Sequence, residues 1–250
     1  MHRWFCGSLI VAAMACGGAG SQSLAPSAPS SIPPTFTALV FSRTEGFRHD
    51  SIPAGIAAIQ QLGRQRGFSV DVTENAATFA DASLARYKVV VFLSTTGDVL
   101  DNGQQAAFER FIRRSGGFVG VHSAADTEYD WPFYGALIGA YFAGHPEIQQ
   151  ASMQVENSPT TAGLPRLWVR RDEWYNFQKN PRANVDVLAA LDERTYTGGT
   201  MSPDHPIMWS HTYEGGLGWY TAGGHTTESF SEPLFLDHLG KGILWAAGQL

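Results

Sequence analysis

The chain has 250 residues, 44% of them hydrophobic, which is enough for a sizeable core but too short for two full α/β domains. A net charge of −6, with only 16% charged residues, leaves no basic footprint and argues against nucleic acid as a partner. The two cysteines, Cys6 and Cys16, lie in the first sixteen residues, so the rest of the chain has no thiol for a disulfide, a nucleophile or a metal.

Met1-His2-Arg3 is a short positive head, and Trp4 to Met14 is an apolar run of signal-peptide length, too short to span a bilayer. Ala13-Met14-Ala15 satisfies the small-residue cleavage rule ahead of Cys16. A cut before cysteine is also the pattern of a bacterial lipoprotein signal, although Ala13 stands where leucine is usual. Residues 1–15 are expected to be a signal peptide, with Cys16 the candidate lipidation site. Residues 16–34 are uncharged and rich in Gly, Ser and Pro, the composition of a flexible linker. A single domain over 35–250 is then expected outside the cytoplasm, either periplasmic or secreted, or held at a membrane only by a lipid anchor.

Thr37 to Phe41 is a short β-prone run. Asp50-Ser51-Ile52-Pro53 opens a helix, with Asp50 or Ser51 as its cap, Ile56, Ile59 and Leu62 at helical spacing, and Gly67 as its stop. Phe68 to Thr73 alternates as a strand, and Tyr87 to Leu93 is the continuous apolar run of a strand buried on both faces. Asp101 to Ser115 reads as a helix carrying Phe108, Phe111 and Ile112 on one stripe, and Phe118 to Val121 as another buried strand. From Gln150 onward, Met153–Glu156, Val185–Leu191, Ile207–Tyr213 and Trp219–Gly223 read as strands without long helices between them. Glu214 to Gly218 reads as a hairpin turn, and Glu232 to Gln249 as a closing helix. The fold class is α/β: a doubly wound, mostly parallel, flavodoxin-like sheet with added antiparallel strands.

Open parallel sheets bind ligands beyond the carboxyl ends of their strands. Three such ends each deliver a histidine: His49, His122 and His225. Gly144-His145-Pro146 and the run Arg170-Arg171-Asp172-Glu173-Trp174-Tyr175, read as a loop, supply further polar and aromatic groups. On the bland reading, Asp172 and Glu173 are a solvated face paired with Arg170 and Arg171. No P-loop, GxGxxG after a strand, HExxH or GxSxG occurs.

Phe47-Arg48-His49-Asp50-Ser51, Gly116 to Ala124, Gly144-His145-Pro146, Asp172-Glu173-Trp174-Tyr175 and Gly218 to His225 together resemble the trehalose-utilisation (ThuA-like) family. The resemblance implies a class I glutamine amidotransferase-like fold. True amidotransferases carry a cysteine on a strand-to-helix elbow in a Gly-x-Cys pattern. Gly120-Val121-His122 stands in that slot here, and without a thiol no thioester forms, so glutaminase chemistry is excluded. His225 resembles the catalytic histidine of that fold, but the acid that should follow two residues later is displaced to Glu228.

Imidazoles serve acid–base chemistry near neutral pH and also ligate divalent metals such as zinc. The expected catalytic groups are His122, His225 and Glu173, and the candidate metal ligands His49, His122 and His225, with Glu173 as a possible carboxylate partner. His49, Asp126, His145, Trp174 and Tyr175, with Trp131, are the expected carbohydrate contacts. The resemblance implies a disaccharide or keto-sugar as substrate, with sugar dehydrogenases as pathway partners. The alternatives are a non-catalytic carbohydrate-binding lipoprotein, and a glycosidase built on Glu173 and Asp126.

Overall fold

The apolar runs read as buried strands are strands in the computed structural model of the chain, which describes residues 1, 2, 4, 5, 7 and 34–250. The cleavage site, Cys16 and the linker up to residue 33 lie outside the described residues. Residues from 34 on belong to one folding unit. No helix among the described residues is long and apolar enough to cross a membrane.

In chain order the elements are β1 (Thr37–Phe41), α1 (Ile52–Arg66), β2 (Ser69–Thr73), α2 (Asp81–Leu84), β3 (Val89–Leu93), α3 (Asn102–Arg113), β4 (Gly117–Val121) and α4 (Pro132–Ile138). They continue with β5 (Phe142–Gly144), β6 (Gln149–Val155), β7 (Leu167–Asp172), β8 (Asn176–Phe177), β9 (Asp186–Leu191), β10 (His205–Tyr213), β11 (Gly216–Thr221) and α5 (Pro233–Ala246). Nine strands form one sheet in the order β2-β1-β3-β4-β11-β10-β9-β6-β7, and β5 pairs with β8. The first five are mutually parallel; from β11 to β7 every pairing is antiparallel.

The parallel half follows from its sequence. All five residues of β3 are fully buried, as its apolar run requires. The chain moves one way from β1 to β2 and the other way from β2 to β3. Right-handed crossovers therefore put α1 on one face and α2 and α3 on the other, and α1 packs beside α5, α2 beside α3. Asp101 caps α3 in a capping box with Gln104. The β10–β11 hairpin turns at Glu214 and Gly215, whose φ values of 49° and 89° suit a two-residue turn of matching twist.

Two local expectations are corrected. Ser51 stands at the N-cap of α1 but its hydroxyl does not cap the helix; it donates to the Gly224 carbonyl at 3.0 Å. Residues 167–172, of which the last three were expected in a loop, form strand β7. Its period of two is present, with Leu167, Val169 and Arg171 outward and Trp168, Arg170 and Asp172 buried. Charges on the buried face hide that alternation from a hydrophobicity reading, and Asp172 and Glu173 are buried rather than solvated.

Candidate metal centre

β1, β3, β4 and β11 lie side by side and parallel, so their carboxyl ends open on one rim of the sheet. His122 follows β4 directly, with φ of 52°. That left-handed conformation costs a non-glycine residue about 1–2 kcal/mol, and the surroundings hold it. Tyr220 Oη donates to the His122 carbonyl at 2.9 Å. Gly120 leaves room beneath, where a Cβ would press on Ile138 and Tyr220. His122 Nδ1 donates to the Ala222 carbonyl at 2.8 Å, so the lone pair of the neutral ring sits on Nε2.

Four side chains converge on that lone pair. His49 Nε2 and His225 Nδ1 are each 3.1 Å from His122 Nε2, Tyr175 Oη is 3.0 Å away and Glu173 Oε2 3.4 Å. Glu173 Oε2 is also 3.1 Å from His225 Nδ1, and its Oε1 is 3.0 Å from His145 Nδ1. Ser123 Oγ, 3.3 Å from His49 Nδ1, leaves the other nitrogen of that ring for the centre. One lone pair cannot accept hydrogen bonds from three neighbours at once. A cation shared by the cluster removes the conflict. The ligand atoms of His49, His122, Glu173 and His225 lie within 4.8 Å of one another. Bonds of about 2.0–2.1 Å in a tetrahedral zinc site give ligand–ligand edges of about 3.3 Å. The four close pairs, His122 with His49, His225 and Glu173, and Glu173 with His225, lie at 3.1–3.4 Å and match that edge, so the donor set fits a divalent ion.

In the metal-free cluster the electrostatics set His49 and Glu173 in the forms that ligate, and hold a proton on His225. Burial, then the neighbouring His122 and His225, pulls His49 down to about 3, so its ring is neutral as a ligand must be. Burial pushes Glu173 up, but hydrogen bonds and charge from His122 and His225 outweigh it and hold the carboxylate at about 2. Burial lowers His225, and Glu173 more than reverses that, raising it from its ordinary value, so His225 gives up a proton when it becomes a ligand.

A cavity of about 370 Å³ opens onto the cluster, lined by Phe47, His49, Asp126, Phe142, His145, Glu173, Tyr175 and His225. Asp126 is raised by burial despite accepting a 2.6 Å hydrogen bond from Tyr129. Trp174 was expected in the cleft and is not there: it is fully buried in the core and its Nε1 donates to the Gln149 carbonyl at 2.8 Å. In the short loop between β7 and β8, Glu173 and Tyr175 face the site while Trp174 between them faces away. Tyr175 is itself buried, 3% exposed, and reaches the centre only through its hydroxyl. Trp131 is also a core residue, donating to Glu109 at 3.0 Å. Glu228 is exposed and lines no part of the cavity. Phe47 and Phe142 in the wall were not expected from the sequence, although Phe47 stands two residues before His49; it is 67% exposed.

The family model described as trehalose utilisation matches residues 37–246. The chain belongs to the trehalose-utilisation (ThuA) family. It is similar to the crystal structure of a ThuA-like protein from Bacteroides uniformis, at 26% identity and a TM-score of 0.74, over 88% of this chain and 94% of that one. A ThuA-like protein from Parabacteroides merdae, 19% identical, shares the fold over 86% of this chain and 90% of its own, with a TM-score of 0.72. The β-galactosidase of Bacillus circulans shares the fold alone, at 15% identity and a TM-score of 0.57, over 85% of this chain and 31% of that one. No curated protein sequence matches the chain. The α/β sheet of this ThuA-family protein is amidotransferase-like, with the histidine elbow at the end of β4.

Proposed function

We propose that this ThuA-family protein is an exported, metal-assisted enzyme acting on a disaccharide or keto-sugar. The observation that carries the reading is the convergence of His49, His122, His225 and Glu173 beside an aromatic-walled cavity. Three nitrogens and one carboxylate suit zinc or a similar first-row ion. Such an ion, when bound, would polarise a sugar carbonyl or hydroxyl.

The chain's own groups divide the remaining work. Phe47 and Phe142 offer faces to the apolar side of a sugar ring, and Asp126 accepts from its hydroxyls. His122 and His225 are the acid and base expected from the sequence. Geometry favours ligand roles for both, because His122 is fully buried with Nδ1 committed to Ala222, and His225 Nδ1 points at His122 Nε2 and Glu173 Oε2, 3.1 Å from each. His145, its side chain 43% exposed and 3.0 Å from Glu173, is better placed to move a proton at the carbon beside a carbonyl. The paired-carboxylate glycosidase reading is weaker, since both oxygens of Glu173 face imidazoles. The remaining alternative is a carbohydrate-binding protein without turnover.

The test is metal analysis of the purified protein, followed by turnover of trehalose and of keto-disaccharides with and without a chelator. Stoichiometric metal and chelator-sensitive turnover support the enzyme. Sugar affinity with no turnover, unchanged in His145→Ala, supports the binding protein. Export and anchoring at Cys16 are tested by Cys16→Ser, which should move the protein from the membrane fraction to the soluble one; unchanged fractionation would favour an unanchored product.

A further inference from the structure

Asp172 does more than end a strand. β7 lies at the edge of the nine-stranded order, four places from β11. In a flat sheet, strands about 4.8 Å apart would put the two roughly 19 Å from each other. Yet Asp172 hydrogen-bonds directly to the turn that follows β11. Its Oδ2 accepts from the Gly224 amide at 2.8 Å and from Ser229 Oγ at 2.9 Å. Its Oδ1 accepts from the His225 amide at 3.2 Å and from the Glu173 amide at 3.0 Å. The antiparallel half of the sheet must therefore curl until its edge meets the end of β11.

The partners matter as much as the closure. One oxygen, Oδ1, takes the amides of two candidate metal ligands, Glu173 and His225, which are far apart in sequence. Arg170 balances the buried charge at 3.2 Å from Oδ2 and is itself held by Glu232 at 2.9 Å and by the Phe235 ring, 4.5 Å from its guanidinium carbon. The turn is shaped to receive the carboxylate. Gly224 has φ of 114°, and a Cβ at Gly223 would run into the Arg170 guanidinium.

We infer that Asp172 is the positioning residue of the centre, a buried clasp that brings Glu173 from the sheet edge to His225. The inference rests on the metal reading of the site. Each carboxylate oxygen receives at least two N–H or O–H donors. An asparagine at this position would aim its NH₂ at one of those sets and leave it unmatched.

The test compares the purified full chain with Asp172→Asn, Ser229→Ala and Glu173→Gln. Zinc affinity is read by competition with a chromophoric chelator, and amide exchange of the metal-free proteins by NMR. In D172N, zinc binding is expected to weaken about 10–100-fold, the usual effect of losing an outer partner of a ligand, while the far-UV spectrum is unchanged. Exchange should quicken at the Glu173, Gly224 and His225 amides and not across β1, β3 and β4. Wild-type zinc affinity in a folded D172N, or unchanged exchange at those three amides, overturns the clasp. If D172N does not fold, S229A, which removes a single donor, must show the same effects in smaller measure; unchanged affinity and exchange there would overturn it. E173Q marks the loss of a direct ligand. A wild-type chain that binds no zinc overturns the metal reading, and the exchange contrast then decides the clasp by itself.

Discussion

His122 Nδ1 donates to the carbonyl of Ala222 at 2.8 Å, and that bond decides which nitrogen of the imidazole faces the site. Ala222 follows β11, in the segment that leads to His225. The bond therefore ties the end of β4 to the end of β11 while it presents the Nε2 lone pair to the centre. A buried histidine with both nitrogens committed to structure would be packing. This one keeps a nitrogen for a ligand, like the outer-partner arrangement of metal-bound histidines.

His122→Ala removes that nitrogen and leaves the Tyr220 bond to the backbone carbonyl intact. Zinc affinity should fall at least 100-fold by calorimetric titration, a size we take from the loss of a direct ligand exceeding that of an outer partner. The thermal melt should stay cooperative. Zinc bound as tightly as by the wild type would remove His122 from the centre.

His238 in α5 allows a pH test away from the cavity. It is fully buried, and its Nδ1 donates to the Thr160 carbonyl at 2.9 Å. Burial is the leading cause of its low value, about 4 against an ordinary 6.5. Between those values the unfolded chain binds a proton that the native chain does not, so stability rises with pH and is lost on acidification through the window. His238→Gln keeps a donor for Thr160 and removes the titration. The slope of unfolding free energy against pH near pH 5 should flatten by roughly 1 kcal/mol per pH unit, read from urea titrations at several pH values. His49 titrates in the same direction in both proteins, so it drops out of the difference. Parallel slopes would mean that His238 is solvated.

The parallel half was legible because strands covered on both faces must be apolar throughout, as Val89 to Leu93 are. His49, His122 and His225 were legible for a related reason: an α/β sheet collects its ligands at strand ends. The second half hid more. On β7 the inward positions are Trp168, Arg170 and Asp172, so two of the three buried residues are charged and the strand reads as a solvated loop. Only tertiary contacts across the curled sheet, from Gly224, Ser229 and Glu232, make that burial tolerable. Trp174 and Tyr175 looked alike as aromatics after a charged run. Which of the two meets the site depends on the path of the loop 173–175 between β7 and β8, which only tertiary contacts decide.

Trp174→Ala measures that correction. The indole is completely enclosed and its N–H is bonded to Gln149. Truncation should cost about 3–5 kcal/mol, as for other buried aromatics, in chemical denaturation. A cost under ~1 kcal/mol with impaired sugar binding would return Trp174 to the cleft.

The N-terminal boundary of the domain can be placed by two truncations. Thr35 donates through its amide to the Gly67 carbonyl at 2.8 Å, and Phe36 stacks on Phe68 with ring centroids 5.1 Å apart. These contacts fasten the entry of β1 to the start of β2, at the edge of the sheet. A chain beginning at Pro34 retains both, and should melt cooperatively at the temperature of the longer chain. A chain beginning at Thr37 keeps all of β1 but loses the stacked pair and the Thr35 bonds. It should be destabilised by about 1–3 kcal/mol, from one aromatic pair and one or two hydrogen bonds. Equal stability of the two truncations would show that the domain begins at β1 itself. Loss of the cooperative melt in the Pro34 chain would show that residues before 34 belong to the fold.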